Sequence, residues 1–300
     1  MTITTHALSE KDAVTMKEIR EGLKGIKGTV TGPQSRPMYD EIMKAVTPAN
    51  GIECEEGSVA GIPGLWVRPK SGPGDRVILY FHGGAYVMGS PRAYVNFVGH
   101  VALRSGIPAF VADYALGPEH PFPAAIEDAR GAYNGLWGQG ITQIAVAGDS
   151  AGGGLALALL SEVKNAGPAP RSVVAISPWT DLALTSPSML SRDAADPIWS
   201  AAALAEMARL YLGNADPRNP LASPVYSDRR GVPPVQLHVG DAEVLLDDTL
   251  RYAEGVDGVE VHVWDGMLHI FPSSVGIFDA ANAALDSIGT FVASHMAPNT

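Results

Sequence analysis

Hydrophobic positions change their period twice along this chain of 300 residues. Near the start, Met16, Ile19, Leu23 and Ile26 recur at helical spacing, and charged residues fill the faces between them, which predicts an amphipathic helix. Four glycines between Gly22 and Gly32 weaken it toward its end. From residue 51 the pattern shortens. Glu53–Val59 and Leu65–Arg68, separated by Gly61-Ile62-Pro63-Gly64, read as a hairpin. Apolar strands and helical stretches then alternate. Strands are expected at Val77–Phe81, Ile107–Ala112, Gln143–Ala147, Val173–Ile176, Val235–Val239 and Val259–Trp264. Helices are expected at Tyr94–Leu103, Pro123–Trp137, after Ser150, and at Ala280–His295. This order predicts an α/β fold with a mostly parallel central sheet covered by helices on both faces. Residues 187–234 break the rhythm with one helix, Ser200–Leu212, ended by Gly213, and read as a lid.

Composition adds exclusions. The formal net charge of −11 lacks the basic footprint that nucleic-acid binding requires. No uninterrupted apolar stretch is long enough to span a bilayer, and the first 25 residues have no signal-peptide core. Cys54 is the single cysteine, so no intrachain disulfide forms, and a cytoplasmic protein is expected. No His-Glu-x-x-His cluster and no phosphate-loop motif occurs, so neither metal nor cofactor is expected.

The candidate chemistry begins at Gly148-Asp149-Ser150-Ala151-Gly152, between an apolar strand and an alanine-rich helix. That is the nucleophile-elbow pattern, in which a tight turn lifts a serine hydroxyl above the sheet and leaves no room for side chains two residues away. A glycine-rich turn with an incidental serine would look the same locally, so the companions decide. His82-Gly83-Gly84 follows a strand, and the N–H groups of Gly83 and Gly84 with that of Ala151 are placed to bind an oxyanion. His82 itself is expected to hold that loop. Chain order leaves His238, His262, His269 and His295 as candidate bases, and His269 lies on a loop just beyond a strand, where a base must hang. His238 and His262 fall inside strands. The acid should follow Val235–Val239, where Asp241, Glu243, Asp247 and Asp248 compete. Asp247 and Asp248 suit a helix start, and spacing does not separate Asp241 from Glu243. Trp179, Trp199 and Met189 are assigned to the core rather than to a pocket.

With these residues assembled, the sequence resembles the hormone-sensitive-lipase-like family of α/β-hydrolase esterases. The likeness rests on His82-Gly83-Gly84-Ala85-Tyr86, Gly148 to Gly153, Pro118 to Ala129, Ser177 to Leu182 and Gly266 to Phe271. It implies a serine esterase for small esters of short acyl chains, lactones included. Its acid motif, laid on Gly240, puts Glu243 at the catalytic position. It also implies a cap built from residues 1–48 and 187–234 over a catalytic domain of residues 49–186 and 235–300. Val259–Trp264 would be the sheet edge, where a homodimer could form. Two departures stand out: Ala85 replaces a third glycine, and Ala115 replaces an arginine, which puts a structural salt bridge in question. A small-molecule binding protein on the same scaffold would lack the histidine that is present here as His269. An acyltransferase or amidase would use the same residues.

Overall fold

Side chains along the central strands alternate between two cores. Val77, Leu79 and Phe81 enter one cluster and Ile78 and Tyr80 the other, so one strand serves both faces. The computed structural model describes residues 1–72, 74–163 and 168–296. Residues 297–300, expected to close the catalytic domain, lie outside them. The strands are β1 (Thr2–His6), β2 (Ile52–Val59), β3 (Ile62–Pro69), β4 (Arg76–Phe81), β5 (Ala109–Ala112), β6 (Gln143–Asp149), β7 (Ser172–Ile176), β8 (Val235–Gly240) and β9 (Glu260–Trp264). Among the described residues they form one sheet in the order β1-β9-β8-β7-β6-β4-β5-β3-β2. The β2–β3 hairpin is antiparallel, and β4 to β9 run parallel.

Helices α3 (Val95–Ser105) and α9 (Asp279–His295) cover one face. The other is covered by α4 (Ala124–Gly138), α5 (Ser150–Val163) and α8 (Leu246–Ala253). The remaining helices are α1 (Glu10–Gly22), α2 (Arg36–Lys44) and, in the insertion, α6 (Ser188–Ser191) and α7 (Ala201–Leu212). Ser200 caps α7 by accepting the Ala203 N–H, and Gly213 ends it, as expected. The first segment and the insertion hold each other: Lys27 bonds Asp193, and the Gly28 N–H donates to the Ile198 carbonyl at 2.9 Å. Among the described residues no helix is long and apolar enough to cross a membrane.

Two expectations need correction. Val259–Trp264 is not the sheet edge, because β1 pairs along its full length, from Thr2 opposite Glu260 to His6 opposite Trp264. An edge-to-edge dimer through β9 is therefore closed off. The His6 ring stacks on Trp264 at 3.7 Å and lies 2.9 Å from His262 Nδ1, while His262 stacks on His238 at 4.6 Å. The arginine missing at Ala115 is also answered elsewhere. Arg36 at the start of α2 makes a bidentate pair with Glu119, at 2.9 and 2.6 Å, and donates to the carbonyls of Val87 and Gly117.

The seal at β9 is testable. A chain lacking residues 1–6 should lose about 2 kcal/mol or more of stability, read from urea unfolding midpoints, because Trp264 and the β9 backbone lose their cover. Light scattering at high protein concentration should rise as the more apolar β9, with Trp264 uncovered, replaces polar β1 as the sheet edge. An unchanged midpoint would show that β1 contributes nothing to the sheet.

Candidate active site

At the end of β6 the chain turns into α5 through Ser150, which holds a left-handed φ of +52°. A Cβ on Gly148 would stand 2.7 Å from the Phe81 carbonyl oxygen and closer still to that of Gly152. One on Gly152 would run into the carbonyls of Phe81 and His82. Only glycine satisfies either position, which is the constraint read from the motif. The serine hydroxyl emerges above the sheet at the amino end of α5.

Ser150 Oγ lies 2.9 Å from His269 Nε2, and His269 Nδ1 lies 2.8 Å from Glu243 Oε2. A carboxylate only accepts, so Nδ1 carries the proton and Nε2 is left to accept from the serine hydroxyl. All three residues are buried. Burial works against a charged imidazole, but the hydrogen bond and charge of Glu243, with Asp196 and Asp149 behind, outweigh it, and the His269 pKa is raised above its ordinary value. The second oxygen of Glu243, Oε1, accepts from the Gly240 N–H at 2.6 Å and from the Ser177 hydroxyl at 2.7 Å.

The competing residues have other partners. Asp241 accepts the Gly266 N–H at 2.5 Å. Asp248 accepts from the N–H groups of Thr180 and Asp181 and from the Ser186 hydroxyl, while burial pushes its carboxyl up to about 7. The Asp247 N–H donates to the Ser188 hydroxyl. His238 and His262 belong to the stack under β1, and His295 bonds the Phe291 carbonyl at the end of α9.

Of the three N–H groups expected at an oxyanion hole, that of Gly83 donates to Asp149 Oδ1 at 3.2 Å. Gly84, Ala85 and Ala151 are buried, and among the described residues their N–H groups donate to no protein acceptor. Ala85 holds φ +55°, so the alanine adopts the left-handed backbone that a third glycine would adopt freely. His82 has the role expected of it: Nδ1 donates to the Gly83 carbonyl at 2.7 Å, and the ring stacks on Tyr114. Burial pushes its pKa down to about 4, so the ring is neutral at pH 7.

Asp149 anchors that loop from below. Its carboxylate accepts from Tyr80 at 2.9 Å, from Tyr94 at 3.0 Å and from Gly83, and Tyr94 in turn lies 2.7 Å from the Tyr39 hydroxyl. Burial raises the Asp149 pKa to about 6, against the pull of these donors and of His269. Nothing in the sequence pattern pointed to these tyrosines, because their partnership exists only across the fold.

Ser150 and His269 open on an apolar cavity of about 280 Å³. Its walls come from Ile19, Leu23 and Ile26 at one side, from Tyr39, Ile42 and Met43 of α2, and from Ile198 and Trp199 of the insertion. Trp199 is buried in the core, as expected, and also lines the cavity, where it stands edge-on to His269 at 6.2 Å. Trp179 and Met189 are core residues, as expected.

Comparison with known proteins is consistent across sequence and structure. A profile of a family described by its alpha/beta hydrolase fold matches residues 78–273. An acetyl-hydrolase from Streptomyces hygroscopicus is 40% identical over 234 residues, 76% of this chain and 78% of its own length. An esterase from Acinetobacter venetianus is 32% identical over 267 residues, 86% of this chain and 88% of its own. The crystal structure of an esterase/lipase from an uncultured bacterium superposes with a TM-score of 0.88 at 36% identity, covering 96% of this chain and 99% of that one. That of an esterase from the bacterial hormone-sensitive lipase family superposes with a TM-score of 0.88 at 34% identity, covering 97% and 100%.

The Glu243 contact predicts how His269 titrates. In NMR titrations, with His269→Gln used for assignment, the His269 ring should titrate above 6.5 in the native protein. In Glu243→Gln it should fall well below its native value, because a neutral amide leaves burial less opposed. Equal titrations in the two proteins would contradict the electrostatic account.

Proposed function

The chain belongs to the alpha/beta hydrolase family, is similar to esterases of the hormone-sensitive lipase type and is a serine carboxylesterase, and we propose that Ser150, His269 and Glu243 carry its reaction. The observation that supports this most is the unbroken line of hydrogen bonds from Ser150 Oγ through His269 to Glu243. Ser150 Oγ attacks the ester carbonyl carbon as its proton passes to His269 Nε2. The carbonyl oxygen gains the negative charge, and the free N–H groups of Gly84, Ala85 and Ala151, at the positive end of α5, receive it. The C–O bond then breaks, and the alcohol leaves with the proton from His269. Water gives a proton to the same imidazole and attacks the acyl carbon; the bond to Ser150 Oγ then breaks, Oγ takes the proton back from His269, and the acid leaves. Glu243 keeps Nδ1 protonated and stabilises the imidazolium formed twice in each cycle.

The preferred substrates are small uncharged esters with short acyl chains, small lactones among them. The apolar walls and modest volume of the cavity support this, since a charged group there would lose its water without gaining a partner. Of the expected cap, β1 belongs instead to the sheet. The rest of residues 1–48, with residues 187–234, forms the cap, a reading supported by the side chains they place in the wall and by the bonds Lys27–Asp193 and Gly28–Ile198 between them. A cytoplasmic site of action fits the lone exposed thiol of Cys54.

Hydrolysis of p-nitrophenyl esters from acetate to decanoate tests the reading. Native enzyme should favour the short chains, and Ser150→Ala should lose about 10⁴-fold or more in kcat. An organophosphate should abolish activity and add one dialkylphosphoryl group to the peptide containing Ser150. Full activity after saturating organophosphate, with Ser150 unmodified, would overturn the mechanism.

A further inference from the structure

Ser177, which lies immediately after β7, is fully buried and holds a left-handed φ of +48°. A non-glycine residue keeps that conformation only where its surroundings over-determine it. Its backbone N–H donates to the His238 carbonyl at 2.7 Å, which pins the serine to the end of β8. Its hydroxyl serves two partners. It donates to Glu243 Oε1 at 2.7 Å and accepts from the Ile270 N–H at 3.1 Å. Ile270 directly follows His269 and is itself left-handed, at φ +49°.

We propose that Ser177 is a positioning residue that sets the distance and angle between Glu243 and His269. The inference rests on the reading that Glu243 orients His269. Glutamate has one more rotatable bond than aspartate, so its carboxylate needs an additional restraint to present one oxygen to a fixed imidazole. Gly240 and Ser177 hold Oε1 from two sides, which directs Oε2 at Nδ1. The same hydroxyl holds the backbone of the residue next to His269, so acid and base are located from one atom. Without it, Oε1 keeps only the Gly240 N–H, and the histidine loop loses its tie to β7.

The test uses Ser177→Gly and Ser177→Ala in the native and Glu243→Ala backgrounds. Glycine adopts a φ of +48° without strain, so Ser177→Gly removes the hydroxyl while relieving the backbone. In the native background both variants should lose roughly 10- to 100-fold in kcat, with KM changed by less than about twofold. The thermal midpoint of Ser177→Gly should stay close to native. In the Glu243→Ala background either substitution should cost clearly less, about fivefold or below, because the carboxylate it positions is gone and only the tie to Ile270 remains to be lost. If folded Ser177→Gly keeps native kcat, or if the losses multiply in the double variants, the inference fails while the triad stands. If Glu243→Ala alone retains native activity, the triad reading itself fails.

Discussion

The carbonyl oxygens of Phe81 and His82, at the end of β4, leave no room for a side chain on Gly152, and that close approach organises the whole carboxyl edge of the sheet. Because β6 can turn back against β4 only there, Ser150 is forced into a left-handed backbone and its hydroxyl rises between the two strands. The loop that follows Phe81 is brought beside it by the same contact, so nucleophile and charge-receiving N–H groups share one anchor. Strain is concentrated here rather than spread. Ala85, Tyr86, Ser150, Ser177 and Ile270 are all non-glycine residues at positive φ, and all lie at or beside the site. Such conformations cost about 1–3 kcal/mol each, and buried hydrogen bonding around them holds them in place.

What could be read from the sequence followed from how local each requirement was. The elbow was legible because its serine and glycines fall at a fixed spacing within five residues, even though part of the steric demand comes from the carbonyls of β4. The strand–helix alternation was legible because burial on both faces leaves continuous apolar runs. β1 was not legible, since Thr2–His6 carries one apolar residue and gains its stability from β9, more than 250 residues away. Glu243 could be separated from Asp241 only by the family resemblance. The physical reason, that Asp241 is bound to Gly266 while Glu243 faces His269, needs the fold. The contact between the Gly83 N–H and Asp149 lay beyond the sequence for a related reason, since it forms only across the fold. Trp199 is a core residue, as its size suggests, but its second role as a wall of the cavity needs the fold.

Asp149 shows how this site ties its parts together. It sits next to the nucleophile in the chain, yet its carboxylate faces away, toward Tyr80, Tyr94 and Gly83. Through Tyr94 it reaches Tyr39, whose ring is also exposed to the cavity. A single buried network therefore runs from the cavity wall to the base of the oxyanion loop. Rigidity in such a network comes from each polar group having a partner, since a buried group without one is destabilising.

The cavity is a seam between two stretches of chain with separate duties. The serine, the imidazole and the carboxylate hang from strands whose positions the whole sheet determines. Much of the facing wall is carried by α1, α2 and the loop before α7, which face the reacting groups across the cavity with side chains such as Tyr39, Ile42 and Trp199. A change at Ile42, half exposed on its helix, alters the shape offered to an ester without moving any atom of the bond-breaking apparatus. Diversification of diet and conservation of chemistry are thus assigned to different parts of the gene, and descendants of this enzyme can explore new esters one wall residue at a time.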